Sequence, residues 1–157
     1  MSYTNADGLQ VINGTDQGAA INEGNTVESD IRTMVVEIPD ATAILSSAAT
    51  PEPNEAFIPS GSYIKSASLL VETAFTSAGA ATLTIGLQTA AGSAIDADGI
   101  DAAVAKAALA ANLAVACDGA LVGGTALVQG DAYISMIYGT AVFTAGKGKL
   151  VIEYITP

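Results

Sequence analysis

The chain has 157 residues, half of them hydrophobic but only 5% aromatic, with neither tryptophan nor histidine. Sixteen acidic residues against five basic ones give a formal charge of −11, which excludes nucleic-acid binding through clustered Lys and Arg and adhesion to an anionic membrane surface. Without histidine, hydrolase triads of the usual kind cannot be built.

That length suits one domain that buries about 68–70% of its unfolded surface with no metal or disulfide. No run of about 18 apolar residues is present, so no helical membrane span is expected. The opening residues, Met1 to Asp7, lack the basic and apolar regions of a signal peptide. Cys117 is the only cysteine, which leaves no internal disulfide and fits a reducing cytoplasm. With no histidine to pair with it, Cys117 reads as a small buried hydrophobe.

Residues 1–30 are polar, rich in Gly and Asn, with Leu9, Val11, Ile12 and Ile21 as scattered apolar contacts. They read as an extended N-terminal arm that a neighbouring subunit would hold in place. The β-domain is expected over 31–157. Alternation begins at Ile31, where Met34, Val36 and Ile38 oppose Thr33, Val35 and Glu37. Pro39-Asp40 ends that strand, and Pro51 and Pro53 stiffen the loop that follows.

Residues 58–89 hold the strongest pattern. From Tyr63 the odd positions run Lys65, Ala67, Leu69, Val71, Thr73 and Phe75, against Ser66, Ser68, Leu70 and Glu72. After Ser77-Ala78-Gly79-Ala80, Leu83, Ile85 and Leu87 alternate with Thr84, Gly86 and Gln88. Two adjacent period-two segments predict a hairpin whose apolar side needs a second layer. The composition of 101–111 is helical, and Ile100, Val104 and Ala108 stack at i, i+4 spacing, so one short inserted α-helix of about three turns is expected there. Residues 112–117 return to strand, Asp118-Gly119 turns the chain, and 120–122 could begin the partner. The segment AYISMIY at 132–138 reads as a strand, 144–148 as a loop holding Lys147, and KLVIEYI at 149–155 as the last strand. Seven or eight short strands with turn signals between them predict an all-β antiparallel sandwich.

One constellation could carry chemistry. Asp96, Asp98 and Asp101 surround Gly99, and alternating carboxylates on a tight turn are what calcium asks for. The spacing departs from an EF-hand loop, whose glycine comes at the sixth position and whose twelfth position, here Ala107, is glutamate. The competing reading is an Asp-Gly turn with Asp98 or Asp101 capping the helix. Glu72 and Glu153 could pair if their strands were neighbours, as a glycosidase would need, although solvated surface charge is the simpler reading. The tyrosines Tyr3, Tyr63, Tyr133, Tyr138 and Tyr154 read as core and interface residues. No catalytic residue and no cofactor are expected.

Residues 58–64 (IPSGSYI), the strand at 68–75, TLTIGL at 82–87, and the stretches 95–101 and 146–154 resemble small virion structural proteins of tailed double-stranded DNA phages. The likeness is to those of short-tailed phages with marine and cyanobacterial hosts, and it covers about residues 57–157. It implies a jelly-roll-like sandwich, made in the host cytoplasm, that decorates or cements the capsid or forms a knob or fibre. The implied partners are the major capsid protein and further copies of the chain, with a trimer favoured. The charge of −11 adds an expectation of its own, an exterior position away from packaged duplex and basic residues turned toward the shell. The alternative is a glycan- or receptor-binding sandwich of a spike, fibre or adhesin, with calcium at Asp96 and Asp98.

Overall fold

The computed structural model describes residues 2–4, 10–12, 31–52 and 55–157. Two compact units divide the chain, 1–30 and 31–157. In the first, β1 (Ser2–Thr4) pairs antiparallel with β2 (Gln10–Ile12); the rest of the expected arm lies outside the described residues.

The second unit is an antiparallel β-sandwich, as the alternation predicts. Its strands are β3 (Ile31–Ile38), β4 (Tyr63–Thr76), β5 (Thr82–Gln88), β6 (Ala94–Ala105), β7 (Leu113–Ala116), β8 (Tyr133–Gly139) and β9 (Ala145–Ile155). One sheet has the order β3-β9-β4-β7 and the other β6-β5-β8. Leu69, Val71, Leu150 and Ile152 of the first meet Leu83, Ile85, Leu87 and Ile100 of the second in a dry interior. Phe75 and Phe143 add an edge-on aromatic contact with centroids 5.4 Å apart. No helix among the described residues is long and apolar enough to cross a membrane.

Four expectations are corrected. β4 and β5 do not form a hairpin: they lie in opposite sheets, joined by the five residues between Thr76 and Thr82. Each strand has one apolar side, and turning these toward each other across the sandwich buries both at once, over a gap of about 10 Å that five residues can span. Lys106 secures this arch, its ammonium donating to the Ser77 and Gly79 carbonyls at 2.9 Å each.

The inserted α-helix is also absent. Residues 94–105 are β6, and only Lys106–Ala108 coil, as one 3-10 turn. A three-turn alanine helix is marginal by itself and would bury little beyond Ile100 and Val104. Pairing with β5 satisfies the backbone (Thr82 with Ala105, Leu83 with Val104) while those two side chains still reach the core. Lastly, 145–148 belong to β9 rather than to a loop, and residues 120–122 do not pair with β7; Val122 bridges to Ile64 of β4 instead.

Bulges set which side chains face inward. β4 carries an extra residue at Lys65, so the buried set passes from Ile64 to Ala67, Leu69 and Val71. In the other sheet Leu87 pairs with Asp96 and Ile85 with Asp101, so two steps along β5 match five along β6. The surplus residues of β6 arch over Gly86, where a Cβ would stand 2.5 Å from the Asp96 carbonyl oxygen and run into the Ala97 carbonyl. Two long loops seam the open sides. On one side Leu121 donates to the Gly99 carbonyl and Gly123 to that of Ile64, both at 2.9 Å. On the other, Tyr138 donates to the Leu45 carbonyl at 2.9 Å, and Ile58 exchanges bonds with Ala132.

Candidate functional site

The acidic stretch becomes a bulge, and the bulge separates its carboxylates. Asp96 folds over Gly99, so near that a Cβ there would lie 2.7 Å from its Cγ. Asp98 is exposed, while Asp101 is 5% exposed and turned toward Cys117 and Asp118. Among the described residues no three His, Cys, Asp or Glu side chains are grouped to hold a metal ion. The capping role fails as well, since no α-helix follows.

Asp101 and Cys117 are neighbours in the interior. Burial and then the nearby charge of Asp118 raise the Asp101 carboxyl above the usual range; the thiol beside it acts the other way. Burial pushes the Cys117 thiol up to about 12, and Asp101 adds to the shift. A thiol held protonated is a poor nucleophile, so the reading of Cys117 as a small hydrophobe stands.

β4 and β9 are neighbours, but Glu72 and Glu153 do not meet. Glu153 lies across from Ser66, whose hydroxyl donates to it at 3.0 Å, and contacts Lys65 at 3.7 Å. Glu72 sits six residues further along β4, about 20 Å away at the rise of a strand. There it shares Lys149 with Glu37, at 3.7 and 3.3 Å. Hydrogen bonding and charge from Glu37, then the charge of Glu72, raise the Lys149 ammonium above its usual range. Tyr154 is buried, Tyr63, Tyr133 and Tyr138 are half-buried, and Tyr133 lies 5.6 Å from Phe57, ring centre to ring centre. Tyr3 has no described side chain.

Two features remain that could meet a partner. The first is the outer face of the four-stranded sheet, where register aligns Val35, Val151, Ser68 and Ala116 in one row and Glu37, Lys149, Leu70 and Ala114 in the next. Ile31, Val35 and Leu70 are exposed there by 45%, 52% and 39%, among charges already paired.

The second feature is a cavity of about 220 Å³ on the β8 side of the sandwich, between the end of β3 and the loop that follows it. Val36, Ile38, Ile44, Ile134 and Met136 supply apolar walls. Gln88, 3% exposed, enters the lining; its Nε2 donates to the Ala49 carbonyl at 2.7 Å, and its Oε1 has no partner. Glu37, Asp40 and Glu55 also border it, the Glu37 carboxylate being bonded to Lys149. Sequence reasoning placed Gln88 on a wetter face and missed this cavity, because only the loop at 45–50, folded over β5, encloses it.

No family model matches the chain, and no curated protein matches it. A chain of the cyanophage Pam1 capsid asymmetric unit shares the fold with a TM-score of 0.61 at 16% identity, over 91% of this chain and 96% of that one. A chain of the Ralstonia phage GP4 capsid does so with a TM-score of 0.55 at 15% identity, over 90% and 94%. At such identities the likeness is one of fold.

Proposed function

We propose that the chain is a structural component of a phage virion, a decoration or cement protein without enzymatic activity that sits on the outer head surface. The observation that carries this reading is the sandwich itself, shared along almost its whole length with chains of two phage capsids. The assembly surface we assign is the outer face of the four-stranded sheet. Ile31, Val35 and Leu70 offer apolar area there, and two of the five cations, Lys65 and Lys149, lie on the same face. The partners are the major capsid protein and further copies of the chain, with a trimer as the favoured state. Net charge supports the exterior, since a lining within about 8 Å of packaged duplex would meet its field almost unscreened.

Adding purified protein to particles that lack it should restore surface density and raise their melting temperature; particles that bind none of it overturn the reading. Biotinylation of intact particles should reach the exposed lysines. Lysines reached only after the shell is opened would place the protein inside.

A glycan-binding module is the second reading. Phe57, 41% exposed and tilted against Tyr133, is the one surface aromatic platform in its favour among the described residues. A glycan array, run with and without chelator, separates the two.

A further inference from the structure

Each sheet of the sandwich ends in two edge strands, and an open edge invites a further strand. Three of the four are guarded. β6 is bulged, and Gly119 and Leu121 donate to its Ile100 and Gly99 carbonyls. β8 is bridged at Ile137 by Leu45, and β7 has only four residues. β3 differs. It runs eight residues against β9 without a register shift and contains no proline, and among the described residues no strand pairs with its other side. Alternate residues of β3 therefore turn their N–H and C=O groups to that open edge.

The side chains of β3 match themselves. Antiparallel partners share a face, so a two-fold that lays β3 on β3 must be centred on a residue, and Met34 or Val35 gives the fullest overlap. Centred on Met34, Ile31 faces Glu37 of the second copy and Arg32 faces its Val36, which sets each charge against an apolar group. Centred on Val35, like meets like: Val35 meets its own copy on the outer face beside Thr33 with Glu37, and Met34 meets Val36 on the inner face. Arg32, exposed, then lies opposite Ile38 and one strand step from Asp40 of the second copy. That carboxylate is held in place, Asp40 Oδ1 accepting from the Thr42 N–H at 2.9 Å, and symmetry makes the ion pair twice. We infer that β3 pairs with β3 of a second copy across a two-fold at Val35, joining two four-stranded sheets into one of eight. The contact covers Val35, which at 52% is more exposed than Ile31 or Leu70 on the same face. It rests on the reading above only for its purpose, linking copies of neighbouring trimers across a shell.

The test uses the isolated full chain, so its failure is distinct from failure to bind particles. In Val35→Cys the new thiols would face each other, with Cβ atoms about 4.5–5.5 Å apart, whereas those of Thr33→Cys would lie about 13 Å apart, four residues along the ladder. Under mild oxidation Val35→Cys should give a disulfide-linked pair and Thr33→Cys should not, while buried Cys117 stays out of the reaction. Val35→Lys, at an exposed position, should keep the circular dichroism melt but raise the dissociation constant by sedimentation at least tenfold. Arg32→Gln should raise it a few-fold, the scale of two surface ion pairs. Equal cross-linking at positions 33 and 35, no cross-linking at either, or an association that neither Val35→Lys nor Arg32→Gln weakens would overturn the proposal.

Discussion

Replacing a strand glycine by alanine ordinarily stabilises a protein by about 0.4–1 kcal/mol, because the unfolded chain loses more freedom than the folded one. Gly86→Ala should do the opposite. Gly86 does not occupy the left-handed region, so conformation does not demand glycine there. Space does. The added methyl would lie 2.5 Å from the Asp96 carbonyl oxygen and collide with the Ala97 carbonyl, and both obstacles are backbone. Ordinary contact begins near 3.4 Å, so the β6 bulge would have to lift by more than an ångström at the Ala97 carbonyl. Overpacking of this kind costs about 1–3 kcal/mol. With a urea slope of about 1–3 kcal/mol per molar, the midpoint should fall by roughly 1 M. Far-UV circular dichroism at one fixed protein concentration reads the midpoint, and an unchanged slope confirms that the same surface unfolds. A midpoint that stays or rises would mean that the bulge does not cross Gly86, and the β5–β6 register would be wrong.

Ile85→Ala and Leu69→Ala, both at fully buried positions, should each cost about 2–5 kcal/mol by the same unfolding measurement, and a cost under about 1 kcal/mol would show the wrong side of the strand was assigned to the core. Asp101 has its pKa raised in the fold, so its favourable contribution is complete below the unfolded value of 3.8 and is lost as pH rises through the folded value. Asp101→Asn should therefore melt higher than the parent at pH 7, with the gap closing toward that acid limit; a gap independent of pH refutes the shift. Cys117, buried with a thiol near 12, should resist alkylation in native protein at pH 8 and react at once in denaturant, whereas equal rates would expose it. Removing residues 1–30 should keep the cooperative melt of 31–157 but lower the oligomer mass by sedimentation, and loss of the melt would make the arm part of the core.

Much of the sandwich was legible because its strands alternate with period two. Met34 and Ile38, Leu69 and Val71, Leu83, Ile85 and Leu87, Ile152 and Tyr154 are all buried as their spacing implies. Alternation is a local property, set by successive side chains pointing to opposite faces, and it needs no knowledge of the neighbour. The neighbour is what tertiary structure decided. β4 and β5 are written like two arms of a hairpin, yet burying two apolar faces against each other outweighs pairing them edge to edge. The alanine stretch is written like a helix, but helix propensity is worth only tenths of a kilocalorie per residue, and the open side of β5 offered Asp101, Val104 and Ala105 strand partners. From Asp96 to Asp101 the aspartates look like a cation loop in one dimension. In three dimensions the bulge sends one into the core, folds one over a glycine and leaves one in water. The cavity beside β8 had no sequence signal at all, because its walls come from β3, β5, β8 and the loop between β3 and β4, segments up to a hundred residues apart that meet only when both sheets close.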